Sequence, residues 1–264
     1  APSWADVPRY FLTLEYDGSG FCGWQKQENG LAVQAVVETA VARLCREPRR
    51  VQAAGRTDAG VHALGQVAHV DLPKDYGAAK VQDALNHHLR PHAVAVLHAE
   101  RVADAAHARF DAVGRAYRYR LRNRRPPLTL EAGRAWQVPQ ALDADAMAAA
   151  ARLLVGRHDF SSFRAAECQA ESPVKTLDRL EVRRTGDLVE IEAAARSFLH
   201  HQVRNIVGTL VLVGKGAWAV DDVGAALAAK RRSAAGPTAP AAGLYLTRVD
   251  YALTPPSPDA APAC

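Results

Sequence analysis

Residues 31–72 read LAVQAVVETAVARLCREPRRVQAAGRTDAGVHALGQVAHVDL, and the spacing of their apolar side chains changes period along the way. Val33, Val36, Val37, Ala40, Val41 and Leu44 recur at three- and four-residue intervals, the single apolar face of an amphipathic helix stopped by Pro48. Residues 50–54 and 65–72 read instead as strands, with the glycine-bounded run Gly55-Arg56-Thr57-Asp58-Ala59-Gly60 between them.

The same reading extends outward on both sides. Residues 10–16 form a strand closed by the turn signal Asp17-Gly18-Ser19-Gly20. Val81, Ala84, Leu85 and His88 mark a second helix that ends before Pro91, and residues 93–99 are a buried strand. The first half is therefore β-α-β-β-α-β. The second half repeats the order. Residues 115–122 are a strand with Tyr117, Tyr119 and Leu121 on one face and Arg118, Arg120 and Arg122 on the other. Asp143 caps a helix running to Leu154, with Gly156 as its stop. Residues 177–184 and 188–195 make a hairpin around Thr185-Gly186-Asp187. A strongly apolar helix spans 198–213, a shorter one 221–230, and residues 244–251 form a closing strand.

Two such units predict an α+β protein of paired ferredoxin-like halves, residues 1–105 and 106–253. Joined edge to edge, they give a long, mostly antiparallel sheet with helices on one face, leaving the other face for a ligand. Residues 254–264, TPPSPDAAPAC, read as a disordered tail.

The 264 residues are 48% apolar and 23% charged, ordinary for a globular chain able to bury a core. A net charge of +5 and a sequence pI near 9.2 favour an anionic partner. The cations cluster at Arg43, Arg46, Arg49 and Arg50, again from Arg115 through Arg118, Arg120, Arg122 and Arg124 to Arg125, and at Lys230, Arg231 and Arg232. Any one cluster is explained by a solvated face; three together favour phosphate tracking. Cys22, Cys45, Cys168 and Cys264 lack CxxC or Cys/His metal spacing and read as free thiols of a reducing compartment. Residues 1–10 hold Pro2, Asp6 and Pro8 and no apolar core, so no signal peptide is expected there, and no apolar run is long enough to span a membrane. These features predict a cytoplasmic location and no membrane partner.

Three places carry candidate chemistry. Asp58, between Gly55 and Gly60 directly after a strand, serves either an Asx-turn or the presentation of one carboxylate from a rigid loop. Arg204 lies in an apolar helix among Val203, Ile206 and Val207, so it either snorkels to solvent or pairs with a fixed carboxylate. Tyr117-Arg118-Tyr119 offers either two core tyrosines or a base-stacking face. The pairs His87-His88 and His200-His201 come without HExxH or carboxylates at ligand spacing, so no metal is expected. Neither a Walker motif nor GxGxxG is present, so no nucleotide cofactor is expected either.

Together these segments resemble the tRNA pseudouridine synthase A family, over roughly Tyr10 to Tyr251. The likeness is carried by Tyr16-Asp17-Gly18 with Gly23-Trp24-Gln25, by Val33-Gln34, and most specifically by Gly55-Arg56-Thr57-Asp58-Ala59-Gly60-Val61-His62. It continues through His107-Ala108-Arg109-Phe110, Tyr117-Arg118-Tyr119, Asp159-Phe160 with Ser162-Phe163-Arg164, Val203-Arg204-Asn205-Ile206-Val207-Gly208 and Gly243-Leu244-Tyr245-Leu246. Where the family often has Asn-x-x-Leu-Pro, this chain reads Asn86-His87-His88-Leu89-Arg90-Pro91.

The resemblance implies two ferredoxin-like halves around a basic RNA-binding cleft, working as a homodimer. It implies a cofactor-independent, metal-free isomerase that converts uridine to pseudouridine at positions 38 to 40 of the tRNA anticodon stem-loop. Asp58 matches the family's catalytic aspartate, Arg56 the arginine beside it, and Tyr117 the tyrosine that contacts the target base. Arg204 matches the arginine expected to pair with the carboxylate, and Leu244 the segment lining the pocket. Such an enzyme breaks the N1–C1′ bond, turns the uracil and rejoins it through C5. The carboxylate acts as nucleophile at C1′ or as base in a route through a glycal, and the sequence leaves both open. The rival class is a non-catalytic RNA-binding protein with paired ferredoxin-like lobes, in which Asp58 has no chemical task.

Overall fold

In the computed structural model, which describes residues 7–28 and 30–252, strand β1 (Arg9–Tyr16) buries Tyr10, Leu12, Leu14 and Tyr16 on one face. They join a core with the apolar stripes of helices α1 (Val33–Cys45) and α2 (Ala78–Leu89). The α1 stripe is the expected one, with Val33, Val36, Val37, Ala40 and Val41 buried. α2 buries Val81, Leu85 and Leu89 and ends where Arg90, ahead of Pro91, turns extended. Strands β2 (Val51–Ala53), β3 (His62–Asp71) and β4 (Val94–Val102) complete the first half.

The second half begins with β5 (Ala112–Arg122) and the short β6 (Trp136–Gln137). Helix α3 (Ala144–Arg152) follows, its amide at Ala146 donating to the Asp143 side chain at 2.9 Å as a helix cap. Strands β7 (Gly156–Asp159), β8 (Val174–Thr185) and β9 (Leu188–Ala195), helices α4 (Gln202–Gly214) and α5 (Val220–Ala228), and β10 (Leu244–Tyr251) complete it. α3 and α4 bury Met147, Ile206 and Leu210 over Tyr119, Leu121 and Ile191 of the sheet in a second core.

All ten strands belong to one sheet, ordered β4-β1-β3-β10-β5-β9-β8-β7. β3 is shared along its length: its start pairs parallel with β10 (His62↔Tyr245, Ala63↔Leu246), and its far end pairs with β2 (Val70↔Val51, Ala68↔Ala53). With the short β6 and β7 set aside, each half has its strands in the order fourth, first, third, second, and the halves join through β3 and β10. Apart from that junction and β6, every pairing is antiparallel.

Three expectations change. The helix foreseen from Phe198 starts only at Gln202, because the amide of Leu199 donates to the Gln202 side chain at 2.8 Å and His201 adopts φ +60°. Residues 198–201 are a turn, not a helical stem. β6 and β7 were not foreseen, since two and four residues carry too few alternations to reveal a period. On the helix-free face of the second half, the cations expected to track phosphate are paired with carboxylates. Arg118, Arg120 and Arg122 project there and pair with Glu192 at 2.9 Å, Glu131 at 2.8 Å and Asp187 at 2.8 Å. The expected tail at 254–264 lies outside the described residues. No helix among the described residues is long and apolar enough to cross a membrane.

His69 of β3 is buried between Phe11 and His107. Its Nδ1 accepts from the Ala108 amide at 3.2 Å, and its Nε2 has no partner among the described residues. Burial, helped by Arg9 and His107, lowers its pKa to about 4. The unfolded chain, with an ordinary histidine near 6.5, then binds more protons between those values, so stability is lost as pH falls from 6.5 towards 4. His69→Asn keeps an acceptor for the Ala108 amide but does not titrate. Between pH 6.5 and 4, denaturant titrations should show wild type losing ~2 kcal/mol more than this variant.

Candidate active site

The loop between β2 and β3 is tied down along its whole length. The Ala54 carbonyl accepts from Arg115 Nη2 at 2.9 Å and the Gly55 carbonyl from Gln66 Nε2 at 2.8 Å. The Thr57 carbonyl accepts from the Trp24 amide at 3.0 Å, and the Thr57 hydroxyl lies 2.7 Å from that of Tyr16. The turn closes with the Val61 amide donating to the Asp58 carbonyl at 3.1 Å. Gly60, third in that turn, has φ +77°, the left-handed value a type II turn requires there. Next in sequence, His62 accepts from the Gly18 amide at 3.0 Å and stacks on Tyr245, with ring centroids 4.6 Å apart. Beside it, burial opposes ionisation of Asp17, yet the Ser19 hydroxyl and amide and the Arg134 guanidinium hold it down to about 2.

With its backbone held this way, the Asp58 side chain makes no Asx-turn. It points to the start of α4, where Arg204 Nη1 donates to Oδ2 at 3.1 Å. Arg204 does not snorkel: its side chain is 15% exposed and its Nε donates to the Ala239 carbonyl at 2.8 Å. His200 Nε2 lies 3.4 Å from Oδ1 and His201 Nε2 lies 3.2 Å from Oδ2. Burial pushes His201 below the ordinary imidazole value, against the opposing pull of Asp58. The 198–201 turn is what brings both rings to the carboxylate, since the left-handed backbone at His201 reverses the chain just ahead of α4.

The carboxylate, a quarter exposed, faces a cleft of about 990 Å³. Its walls carry Arg50, Arg56, Arg109, Arg115, Arg196 and Arg204 against two carboxylates, Asp58 and Glu167, so it attracts anions. Tyr117 lines it, set edge-on against Phe198 with centroids 5.1 Å apart, and its hydroxyl bonds to no described residue. Burial, reinforced by the charge of Asp58 and neighbouring Tyr16, pushes the Tyr117 phenol far up, so it stays protonated. Leu244 is a buried part of the wall. The neighbouring Gly243 is required by close approach, because a Cβ there would meet the Tyr119 ring at 2.5 Å. Tyr119 itself is a core residue whose hydroxyl donates to the Pro240 carbonyl at 2.7 Å. Arg56 is exposed at the cleft and makes no ion pair among the described residues.

The fold thus brings together Asp58, Arg204, Tyr117, Leu244 and Arg56, all on the cleft wall. It separates most of the expected phosphate-tracking cations from it. From the 115–125 cluster only Arg115 reaches the wall, and from the 43–50 cluster only Arg50. Arg115 is also committed elsewhere. It donates to the carbonyls of Ala54 and Arg109 through Nη2, and to those of Ala112 and Arg196 through Nη1, with burial lowering its pKa. One guanidinium therefore fastens the Asp58 loop, the 107–111 turn and the strand leading to α4. His200 and His201 were read only as metal candidates, and their place beside Asp58 depends on a turn that apolar periodicity hides. They and Asp58 form the one group of three metal donors found close together among the described residues. Arg204 already donates to the shared carboxylate and opposes a further cation there.

A family model described as tRNA pseudouridine synthase matches residues 13–111 and 150–252. The chain is 63% identical over 248 residues to tRNA pseudouridine synthase A of Paramagnetospirillum magneticum, covering 94% of this chain and 97% of that protein. It is 61% identical over 245 residues to the protein of the same name from Rhodopseudomonas palustris strain HaA2, with 93% and 100% covered. For the Rhodospirillum rubrum protein of that name the figures are 60% over 255 residues, with 97% and 90% covered.

Because a lysine ammonium cannot span carbonyls on three segments, Arg115→Lys should not behave as a conservative change. Thermal unfolding should fall by roughly 4 °C or more, the shift expected when about 2 kcal/mol is lost from a chain of this size. Far-ultraviolet circular dichroism at 20 °C should stay close to wild type.

Proposed function

The chain belongs to the tRNA pseudouridine synthase family, and on that premise we propose that Asp58 is the carboxylate through which it isomerises uridine in tRNA. The observation that carries this reading is the Asp58 carboxyl group, held by Arg204 at 3.1 Å, at the wall of a cleft lined with arginines.

The reaction is an isomerisation. The N1–C1′ bond breaks, the uracil turns, a C5–C1′ bond forms, the C5 proton is lost and N1 gains one. Asp58 either attacks C1′ or removes a sugar proton on the way to a glycal, and the same carboxylate serves both routes. Its alignment costs nothing at the moment of reaction, because the loop and the Arg204 side chain are both fixed beforehand. Tyr117 lies against the extruded uracil, with a protonated hydroxyl free to hydrogen-bond it. Leu244 supplies apolar wall beside the base. The target uridine is stacked within the RNA and must leave its stack to reach Asp58. Arg56, exposed and unpaired with any described carboxylate, fills the vacated space or holds the backbone. The substrate site on this reading is positions 38 to 40 of the anticodon stem-loop, and the working form is a cytoplasmic homodimer, as the sequence resemblance implies.

Purified protein should release tritium from [5-³H]uridine-labelled tRNA without added metal or nucleotide. Asp58→Ala should lower that release by roughly 10³-fold or more while tRNA binding persists. Undiminished release from the variant would remove Asp58 from the chemistry. Tyr117→Phe tests a finer point: tRNA affinity should hold, while turnover falls roughly five- to tenfold as one hydrogen bond to the base is lost.

A further inference from the structure

Isolated exposed apolar side chains are ordinary on protein surfaces. Leu130, 90% exposed, is one of these and lies off the cleft wall. Phe110 is different. It is 71% exposed, it is the one aromatic among the strongly exposed large apolar side chains of the described residues, and it stands on the cleft wall.

The turn beneath it is built to hold the ring outward. The His107 amide donates to the Asp111 carboxylate at 2.7 Å, and the Asp111 amide donates back to the His107 carbonyl at 3.1 Å. Within that closed turn His107 Nδ1 accepts from the amides of both Arg109 at 3.1 Å and Phe110 at 3.3 Å. The His107 ring then backs the Phe110 ring, with centroids 4.3 Å apart and 36° between planes. The Arg109 guanidinium lies 5.8 Å from the Phe110 centroid. Arg115 Nη2 donates at 2.9 Å both to the Arg109 carbonyl and to that of Ala54, so the turn is fastened to the very loop that carries Asp58. A ring held outward in this way, on the wall of an arginine-lined cleft, presents its apolar face to whatever the cleft binds.

We propose that Phe110 is a stacking platform for a nucleobase of the bound tRNA, next to the uridine presented to Asp58, with Arg109 on the adjoining phosphate. The inference rests on the reading that this cleft binds tRNA. An aromatic face with one guanidinium beside it, on a cleft wall carrying further arginines, is the chemistry that fits single-stranded nucleic acid, which offers a flat base and an anionic backbone side by side. It does not fit an apolar protein partner, which would leave Arg50, Arg56, Arg109 and Arg196 without counter-charges.

The test uses the full chain and an unmodified tRNA transcript. Phe110→Ala should weaken tRNA binding about tenfold or more, the usual cost of removing one stacked ring. Phe110→Trp should restore affinity, and tRNA should quench its fluorescence beyond the change seen in wild type. Quenching reports a base against the ring, which a purely structural role would not produce. Wild-type affinity in Phe110→Ala, or no added quenching in Phe110→Trp, overturns the proposal while leaving the Asp58 assignment intact. A Phe110→Ala binding defect alongside undiminished tritium release by Asp58→Ala does the reverse. Wild-type protein that does not bind tRNA overturns both.

Discussion

The contact between Asp58 and Arg204 joins a loop of the first half to a helix of the second, 146 residues apart. Neither half contains it alone. It exists because β3 pairs with β2 at one end and with β10 at the other, which carries the loop ahead of β3 to the start of α4. The guanidinium is fixed independently by the Ala239 carbonyl, so it meets the carboxylate without first paying the entropy of ordering a long side chain. A charge-assisted bond between two groups already held in place is the geometry that electrostatic preorganisation requires.

Most arginines of this basic chain are already spoken for, and that shapes where RNA can be held. On the helix-free face of the second half they alternate with glutamates and neutralise one another. On the cleft wall six arginines face two carboxylates, so the positive potential is concentrated where the Asp58 loop opens. Arg115 shows that a cleft arginine need not be a ligand for phosphate. Its four bonds to backbone carbonyls make it the clamp that holds three cleft segments in register.

Backbone strain is placed beside the Asp58 carboxylate. His201 is one of three non-glycine residues with positive φ among the described residues, a conformation with a cost of about 1–2 kcal/mol. The surrounding bonds offset it: the Leu199 amide to the Gln202 side chain, and the Ala165 amide to the His200 carbonyl at 2.9 Å. The result is two imidazoles beside the Asp58 carboxylate, with Glu167 as a further acidic group acting on His201.

Local pattern was enough for the elements that obey one period. The α1 face, the 8-residue strand β10 at its expected limits and the glycine-bounded Asp58 loop all follow from the order of residues, because side-chain direction repeats at 3.6 or 2 positions whatever lies nearby. The candidate residues that meet at the cleft were named through a resemblance, by motifs that stand far apart in the chain. Tertiary structure alone decided which charge meets which. Arg115 and Arg118 are three residues apart on one strand, yet one clamps the cleft and the other pairs with Glu192 across the sheet. Pairing of that kind depends on strand register and on which halves share an edge, both long-range quantities. The same holds for the turn at 198–201, where a side-chain cap and one left-handed residue override an apolar run that on its own reads as helix.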